Sequence, residues 1–114
     1  MEALEMTLLF DYYGELLTEK QRACVDMRYN QDLSLGEIAQ ELGISRQGVF
    51  DNLSRAEALL RNMEEKTGFV RRDEKVRAAA HSIEAAAQAL SRNPDSQIAA
   101  LAKGILSAAQ ELEE

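Results

Sequence analysis

The sequence predicts an all-α protein, a helix-turn-helix bundle followed by a C-terminal helical hairpin. Apolar residues recur at three-and-four spacing along most of the 114 residues, and no long stretch alternates with period two. Two capping boxes, Thr18 with Gln21 and Ser34 with Glu37, mark helix starts. This length allows one domain with an appendage. We expect residues 1–68 to form the helix-turn-helix domain and residues 69–114 an Ala-rich hairpin.

The first predicted helix covers about residues 2–17, where leucines and aromatic residues fall at helical spacing. Its aromatic residues, Phe10, Tyr12 and Tyr13, either pack against the following helices or form a stacking platform for single-stranded bases. Packing is favoured because no basic residue lies between the rings. The capping box at residue 18 predicts a second helix over about residues 19–29, which buries some of its apolar residues.

A helix-turn-helix is predicted over residues 34–60. Its first helix ends at Gly43, which suits the left-handed conformation that leads out of a helix. Ser45 can cap the second helix, which should run to about Lys66 before Gly68 ends it. The expected buried stripes are Leu35, Ile38, Ala39 and Leu42 in the first helix, and Val49, Leu53, Ala56 and Leu60 in the second.

The polar first turn of the second helix is the candidate nucleic-acid contact. In a helix-turn-helix this turn reaches base edges in the major groove, and Arg46 and Gln47 can bond guanine and adenine edges respectively. The alternative is an αα-hairpin that contributes only to a core, but small Ala39 and a Gly turn favour the functional interpretation. The predicted binding residues are Ser45, Arg46, Gln47, Asn52 and Arg55 toward the duplex, and Arg61, Arg71 and Arg72 toward its backbone.

The net charge of −7 is unusual for a DNA-binding protein, because phosphate neutralisation supplies most of the affinity. Asp51, on the exposed face of the second helix, repels phosphate unless it accepts a hydrogen bond from cytosine. The only cluster of basic residues in the sequence could bind a phosphate backbone, or it could offset helix dipoles and nearby acidic residues. We therefore expect nucleic-acid binding to be weak alone or to depend on a partner. The basic residues are Arg61, Lys66, Arg71 and Arg72.

From Asp73 the composition becomes Ala-rich and predicts two helices. Asn93 and Pro94 separate them, with Pro94 suited to the first helical position. The narrow, small-residue faces could lie back on the core, or pair with another protein or with a second copy in a homodimer. The two expected stripes are Val76, Ala79, Ala80, Ile83, Ala87 and Leu90, and Ile98, Leu101, Ala102, Ile105, Ala109 and Leu112.

No residue pattern indicates catalysis. There is no Gly-rich phosphate loop, no nucleophile with a base and no metal-ligand spacing, so we expect no enzyme activity, cofactor, metal or small-molecule substrate. Cys24 is predicted as a core residue and His81 as a surface or packing residue. No apolar run approaches the ~20 residues of a membrane span. The N-terminus is acidic where a signal peptide is basic, which predicts a cytoplasmic protein.

Four runs between Leu9 and Arg72 resemble the YlxM family of small bacterial helix-turn-helix proteins. They read Leu-Phe-Asp-Tyr-Tyr, Leu-Leu-Thr-Glu-Lys-Gln-Arg, Asp-Leu-Ser-Leu-Gly-Glu-Ile-Ala and Ile-Ser-Arg-Gln-Gly-Val-Phe-Asp-Asn-Leu. The middle segment is more loosely similar to the promoter-reading fourth region of sigma factors. The tail after Arg72 is poorly matched, and Gly48 stands where the family pattern has Ala, which should loosen the first turns of the helix.

This resemblance implies a cytoplasmic protein of the signal recognition particle pathway, since the family is typically encoded beside the particle's GTPase. Two functions are consistent with it. One is a regulatory protein that binds nucleic acid through the helix at residues 45–66. The other is an adaptor that binds the particle's GTPase or its RNA without sequence-specific DNA binding.

Overall fold

The structure, a computed structural model, describes residues 3–113. These residues form six α-helices and no strand, which confirms the predicted fold class. The first compact unit ends at Val70 and the second begins at Arg71. None of the described helices is long and apolar enough to cross a membrane. The helices are α1 (Ala3–Tyr13), α2 (Glu19–Val25), α3 (Leu35–Leu42), α4 (Arg46–Thr67), α5 (Phe69–Leu90) and α6 (Ser96–Leu112).

The core of the first unit forms around α4, which α1, α2 and α3 all contact. All of the predicted stripe residues of α4 are buried. In α3, Ile38 and Ala39 are buried, while Leu35 and Leu42 are partly buried against the same core. Cys24 is also buried, as predicted, and burial raises the pKa of its thiol. The other core residues are Met6, Leu9, Tyr13, Leu17, Val25 and Val70.

Side-chain caps begin α2, α3 and α4 where the sequence predicts them. The Thr18 hydroxyl accepts from the Gln21 amide at 3.2 Å, and the Gln21 side chain accepts from the Thr18 amide at 3.0 Å. Ser34 and Glu37 form the same reciprocal pair at 3.1 and 3.0 Å. These hydrogen bonds lower the pKa of the Glu37 carboxyl. The Ser45 hydroxyl accepts from the Gly48 amide at 2.9 Å, so each cap satisfies an amide that the helix itself leaves free.

The first predicted helix is shorter than expected, because α1 ends at Tyr13 and a 3₁₀ turn spans Gly14–Leu16. The Arg22 guanidinium holds this turn by donating to the carbonyls of Gly14 and Glu15, both at 3.3 Å. Leu17 then takes an extended conformation and is buried. The contact with α2 therefore decides where the helix ends.

The second predicted helix also departs from the expectation. It is α-helical only to Val25 and becomes π-helical over Asp26–Asn30. The Asp26 carboxylate stabilises this wider turn by accepting from the side chains of Asn30 and Gln31, both at 2.8 Å. The π segment carries Tyr29 to α4, where its hydroxyl donates to Glu57.

The aromatic rings of α1 pack against the core, which confirms the packing interpretation. Tyr13 is buried, whereas Phe10 and Tyr12 are partly buried. The Tyr13 hydroxyl donates to Glu64 Oε1 at 2.6 Å and shares a 2.6 Å hydrogen bond with Thr67 Oγ1. Burial and the bond to Glu64 raise the pKa of Tyr13. The rings consequently hold α1 to the C-terminal end of α4.

The second long helix of the chain starts earlier than the composition indicates, at Phe69. Gly68, with φ 63°, ends α4 in the left-handed conformation. The side chains of Thr67 and Glu64 then accept from the amides of Phe69 and Val70 at 3.3 and 3.0 Å. These bonds satisfy the first amides of α5, so the new helix can begin directly after the glycine.

Helices α5 and α6 form an antiparallel hairpin, because His81 Nδ1 in the middle of α5 lies 3.9 Å from Glu113 Oε1 just after α6. Pro94 is not the first helical residue, contrary to the prediction. Asp95 caps α6 instead, its carboxylate accepting from the amides of Gln97 and Ile98 at 2.9 and 3.4 Å. A carboxylate can satisfy two free amides, which explains why the helix starts after Asp95 rather than at the proline.

The predicted stripes of the hairpin are only partly buried. The buried members are the small ones, Ala80 and Ala87 in α5 and Ala102 and Ala109 in α6. The large members on both helices stay exposed. These exposed members are Ile83, Leu90, Ile98, Leu101, Ile105 and Leu112.

Candidate nucleic-acid interface

Hydrogen bonds fix the turn between α3 and α4 both at the end of α3 and at the start of α4. Gly43 leaves α3 in the left-handed conformation with φ 66°, and its amide donates to the Ala39 carbonyl. The Ile44 amide donates to the same carbonyl at 3.1 Å, while the Ile44 side chain packs against the core. Ser45 then caps α4. These local interactions fix the first turn of α4 relative to α3 and leave its outward side chains exposed.

One side of α4 is exposed along the first four turns, and we call it the exposed α4 face. It lies opposite the buried stripe, as expected for an amphipathic helix. It begins at the first residue of the helix, so its first side chains, those of Arg46 and Gln47, lie beside the helix N-terminus. Its residues are Arg46, Gln47, Phe50, Asp51, Ser54, Arg55, Ala58, Arg61 and Asn62.

The structure separates the predicted binding residues of α4 into two groups. Arg46, Gln47, Arg55 and Arg61 are exposed and lie on this face. The Ser45 hydroxyl is instead occupied as the cap. The partly buried Asn52 amide donates to the Gly48 carbonyl at 2.8 Å. Ser45 and Asn52 therefore each make a hydrogen bond that stabilises the first turns of α4, and their predicted contacts with a duplex remain predictions.

The charge of the exposed α4 face differs from that of the whole chain. Three arginines lie on it against a single carboxylate, that of Asp51. The Gln47 side chain donates to Asp51 Oδ1 at 3.0 Å, which gives this carboxylate a partner within the helix. Glu57, at the edge of the face, accepts from Tyr29. The face is locally positive although the net charge of the chain is −7.

Phe50 is a residue of this face that the sequence analysis does not identify. It is 53% exposed and lies one turn after Arg46. An exposed aromatic ring among arginines can contact a thymine methyl group or stack on an unpaired base. The sequence does contain one signal for the exposure of Phe50, which is its position. It directly follows buried Val49 and therefore falls outside the buried stripe of α4.

The basic residues that are clustered in the sequence after Leu60 do not all lie on one helix. Arg71 and Arg72 begin the second unit, on α5. Lys66 lies in the last turn of α4, where a cation offsets the helix dipole. Only Arg61 belongs to the exposed α4 face. The backbone-contacting role of Arg71 and Arg72 remains a prediction.

The start of α4 is regular from Arg46 onward, with Gly48 in its first turn. A Cβ atom at this position would lie 3.2 Å from Ser45 Oγ, the oxygen that caps the helix. This distance is tighter than an ordinary van der Waals contact. The glycine therefore leaves room for the cap in the turn that starts the exposed α4 face.

His81 has neighbours that the sequence analysis does not anticipate. One ligand atom from each of His81, Glu84 and Glu113 lies within 4.8 Å of the others. Glu113 approaches from the end of α6, far along the chain from His81, so sequence spacing does not indicate this neighbour. Three side chains are fewer than the four ligands of a closed structural zinc site, and the His81 side chain is 85% exposed. We assign no metal to this cluster.

Comparison with known proteins matches residues 1–99 to the UPF0122 family, described as "Putative helix-turn-helix protein, YlxM / p13 like". A UPF0122 protein of Thermoanaerobacter sp. (strain X514) is 56% identical over 73 residues, which are 64% of this chain and 62% of that protein. One of Halalkalibacterium halodurans is 50% identical over 74 residues, 65% of this chain and 68% of that protein. One of Listeria monocytogenes serotype 4b is 52% identical over 67 residues, 59% of this chain.

The chain thus spans less than two thirds of the length of the Thermoanaerobacter relative, of which 62% is covered. These relatives are named by their family alone, without a ligand or an activity.

Proposed function

Because the chain belongs to the UPF0122 family of YlxM / p13-like helix-turn-helix proteins, we propose that it binds nucleic acid through the exposed α4 face. In this proposal it acts as a regulatory protein of the signal recognition particle pathway. The observation that carries the proposal is the exposed, arginine-rich first part of a helix whose start is fixed by a tight turn. Arg46 and Gln47 take the base edges, while Arg55 and Arg61 contact the phosphate backbone.

The pathway is supported by a separate observation. The sequence runs between Leu9 and Arg72 resemble the YlxM family, whose members are typically encoded beside the signal recognition particle GTPase. The natural ligands to test are accordingly the particle's RNA and GTPase as well as duplex DNA.

A second candidate function is an adaptor that binds the particle's GTPase or RNA without reading DNA sequence. The hydrogen bond between Gln47 and Asp51 favours it, because it occupies one of the two side chains that would read bases. The net charge of −7 favours it as well. For an adaptor, DNA affinity at physiological salt should stay at the non-specific level of roughly 10⁻⁴ to 10⁻⁶ M.

Fluorescence anisotropy with the full chain distinguishes the two functions. The labelled ligands are the particle's RNA, with and without the GTPase, and a pool of random duplex DNA, each over a series of salt concentrations. Duplex binding with a steep salt dependence supports the regulator. Tight binding to the particle with duplex binding at the non-specific level supports the adaptor.

Single arginine variants then test the base-reading role of Arg46 on the exposed α4 face against the predicted backbone contact of Arg72 on α5. We expect Arg46→Ala to weaken binding by about 10-fold or more and to change base preference, as loss of a bidentate base contact does. Arg72→Ala should weaken binding equally for all sequences. Arg92→Ala removes the same charge from an exposed position after α5 and serves as the matched control. Equal, sequence-independent losses in all three variants would contradict a base-reading role.

A further inference from the structure

Five of the seven large apolar residues that are exposed on the described parts of α5 and α6 follow one rule, and Phe69 and Ile98 are the exceptions. The five stand one position before or three positions after a buried alanine. In α5 the buried alanines are Ala80 and Ala87, and in α6 they are Ala102 and Ala109. The flanking residues are Ala79, Ile83, Ala86 and Leu90 on α5, and Leu101, Ile105, Ala108 and Leu112 on α6.

This shared offset places the flanking residues on one side of the hairpin. Each residue advances by about 100° around a helix with 3.6 residues per turn, so positions −1 and +3 lie on the same flank of the buried alanines. The helices run antiparallel, and equal offsets in an antiparallel pair point to the same side. We call this surface the apolar hairpin face. The opposite side is polar, since it carries Glu84 of α5 and Glu113 beside His81.

The apolar hairpin face is large enough to be an interface. Its five large side chains are exposed by 43% (Ile83), 47% (Leu90), 71% (Leu101), 46% (Ile105) and 55% (Leu112). Together they present roughly 500 Å² of apolar surface per chain, at the upper end of the largest patches on ordinary monomers. With the exposed alanines between them, the patch approaches the roughly 800 Å² that each partner buries in a standard interface.

We propose that a second copy of this chain covers the apolar hairpin face, so that two hairpins form a four-helix bundle. The face carries no charged residue, and two copies of a chain with net charge −7 can therefore meet there without bringing like charges together. Along α5 large and small residues alternate on it, as Ala79 and Ala86 do with Ile83 and Leu90. This alternation suits the interdigitation of side chains between antiparallel helices.

The test is the mass of the full chain in solution, by sedimentation equilibrium and light scattering over a micromolar concentration series. We expect twice the chain mass of 12.7 kDa. The double variant Leu101→Glu with Ile105→Glu should raise the dimer dissociation constant by at least about 100-fold, because each dimer loses four buried aliphatic side chains. The single variant Leu101→Gln should weaken the dimer less.

Gln88→Glu with Gln110→Glu is the matched control, since it adds the same two charges at exposed positions outside the face. It should dimerise like the original chain. Circular dichroism establishes that each variant keeps its helices. A monomer at all concentrations would overturn the proposal, as would a dimer that the Leu101 and Ile105 changes leave intact. These mass measurements need no ligand, so their outcome is independent of nucleic-acid binding.

Discussion

At the scale of single residues, two tyrosines connect the helices of the first unit through their hydroxyl groups. Tyr13 bonds Glu64 and Thr67 near the end of α4, and Tyr29 bonds Glu57 in its middle. No buried side-chain nitrogen or oxygen among the described residues lacks a hydrogen-bond partner. A phenylalanine in either place would fill the same space but remove one hydrogen bond to a carboxylate of α4. The hydroxyls therefore specify which part of α4 each tyrosine packs against.

Tyr29 should make the stability of the first unit depend on pH in the alkaline range. Two effects raise the pKa of Tyr29 from 10.0 to about 12: burial, which is the larger, and the hydrogen bond to the Glu57 carboxylate. As the pH rises above about 10, the unfolded chain loses this proton while the native chain keeps it. The free energy of unfolding should therefore fall between about pH 10 and about pH 12, whereas below pH 10 this contribution is fully present.

Urea unfolding at about pH 8 and about pH 11 checks this expectation. The fall in stability should be smaller in Tyr29→Phe, which has no phenolic proton. Burial also raises the pKa of Tyr13 and Cys24, but both residues are present in both proteins, so the comparison isolates Tyr29. Equal losses of stability in the two proteins would show that Tyr29 titrates normally.

At the scale of elements, α4 serves both the core and the candidate interface, and its two ends are fixed locally. Ser45 caps the start, while Gly68 in the left-handed conformation ends the helix. Between them the buried stripe docks the helix on the unit. The side chains that face outward are then free to vary without affecting the fold. This division explains how a short acidic protein can carry a locally positive helix face.

The cap of α4 should matter for stability and for the candidate interface. We expect Ser45→Ala to lower the free energy of unfolding by about 1 kcal/mol, because the Gly48 amide loses its acceptor. Ser54→Ala is the matched control in the same helix, at an exposed position. It should be neutral or stabilise by roughly a few tenths of a kcal/mol, as alanine is the better helix former. Thermal and urea unfolding measure both variants, and equal losses would refute the capping role.

At the scale of the whole molecule, the two units differ in what they bury. The first unit has fully buried Met6, Ile38 and Leu60 in its core. Among the described residues of the second unit, the buried hydrophobic side chains are alanines. Because an alanine removes much less apolar surface from water than a leucine, each hairpin contact contributes less free energy. The second unit should consequently open more readily than the first.

Hydrogen exchange of the full chain tests this difference. Amides in α6 should exchange faster than those of α4 at low protein concentration, since local opening follows the buried apolar surface. Protection of α6 should rise with protein concentration if a second copy covers the apolar hairpin face. The Leu101→Glu and Ile105→Glu variant should lose this dependence on concentration. Slow exchange of α6 at every dilution in that variant would contradict the weak-core explanation.

The sequence alone determines those features that depend on neighbours within one helical turn. The capping boxes at Thr18 and Ser34, the glycine ends of α3 and α4, and the buried stripe of α4 all appear as predicted, because each is set by residues at most four positions apart. The exposure of Arg46 follows from the same periodicity. The fold class and the first turn of the candidate interface were predictable for this reason.

The tertiary structure decides the features that join distant parts of the chain. Arg22 ends α1 early, the π segment brings Tyr29 to Glu57, and Glu113 reaches His81 from the end of α6. The antiparallel hairpin likewise buries alanines and leaves residues such as Leu101 exposed. None of these contacts has a local sequence signal, since each depends on how two helices meet. Helical periodicity identifies an apolar stripe, but only packing determines which part of the stripe a neighbouring helix covers.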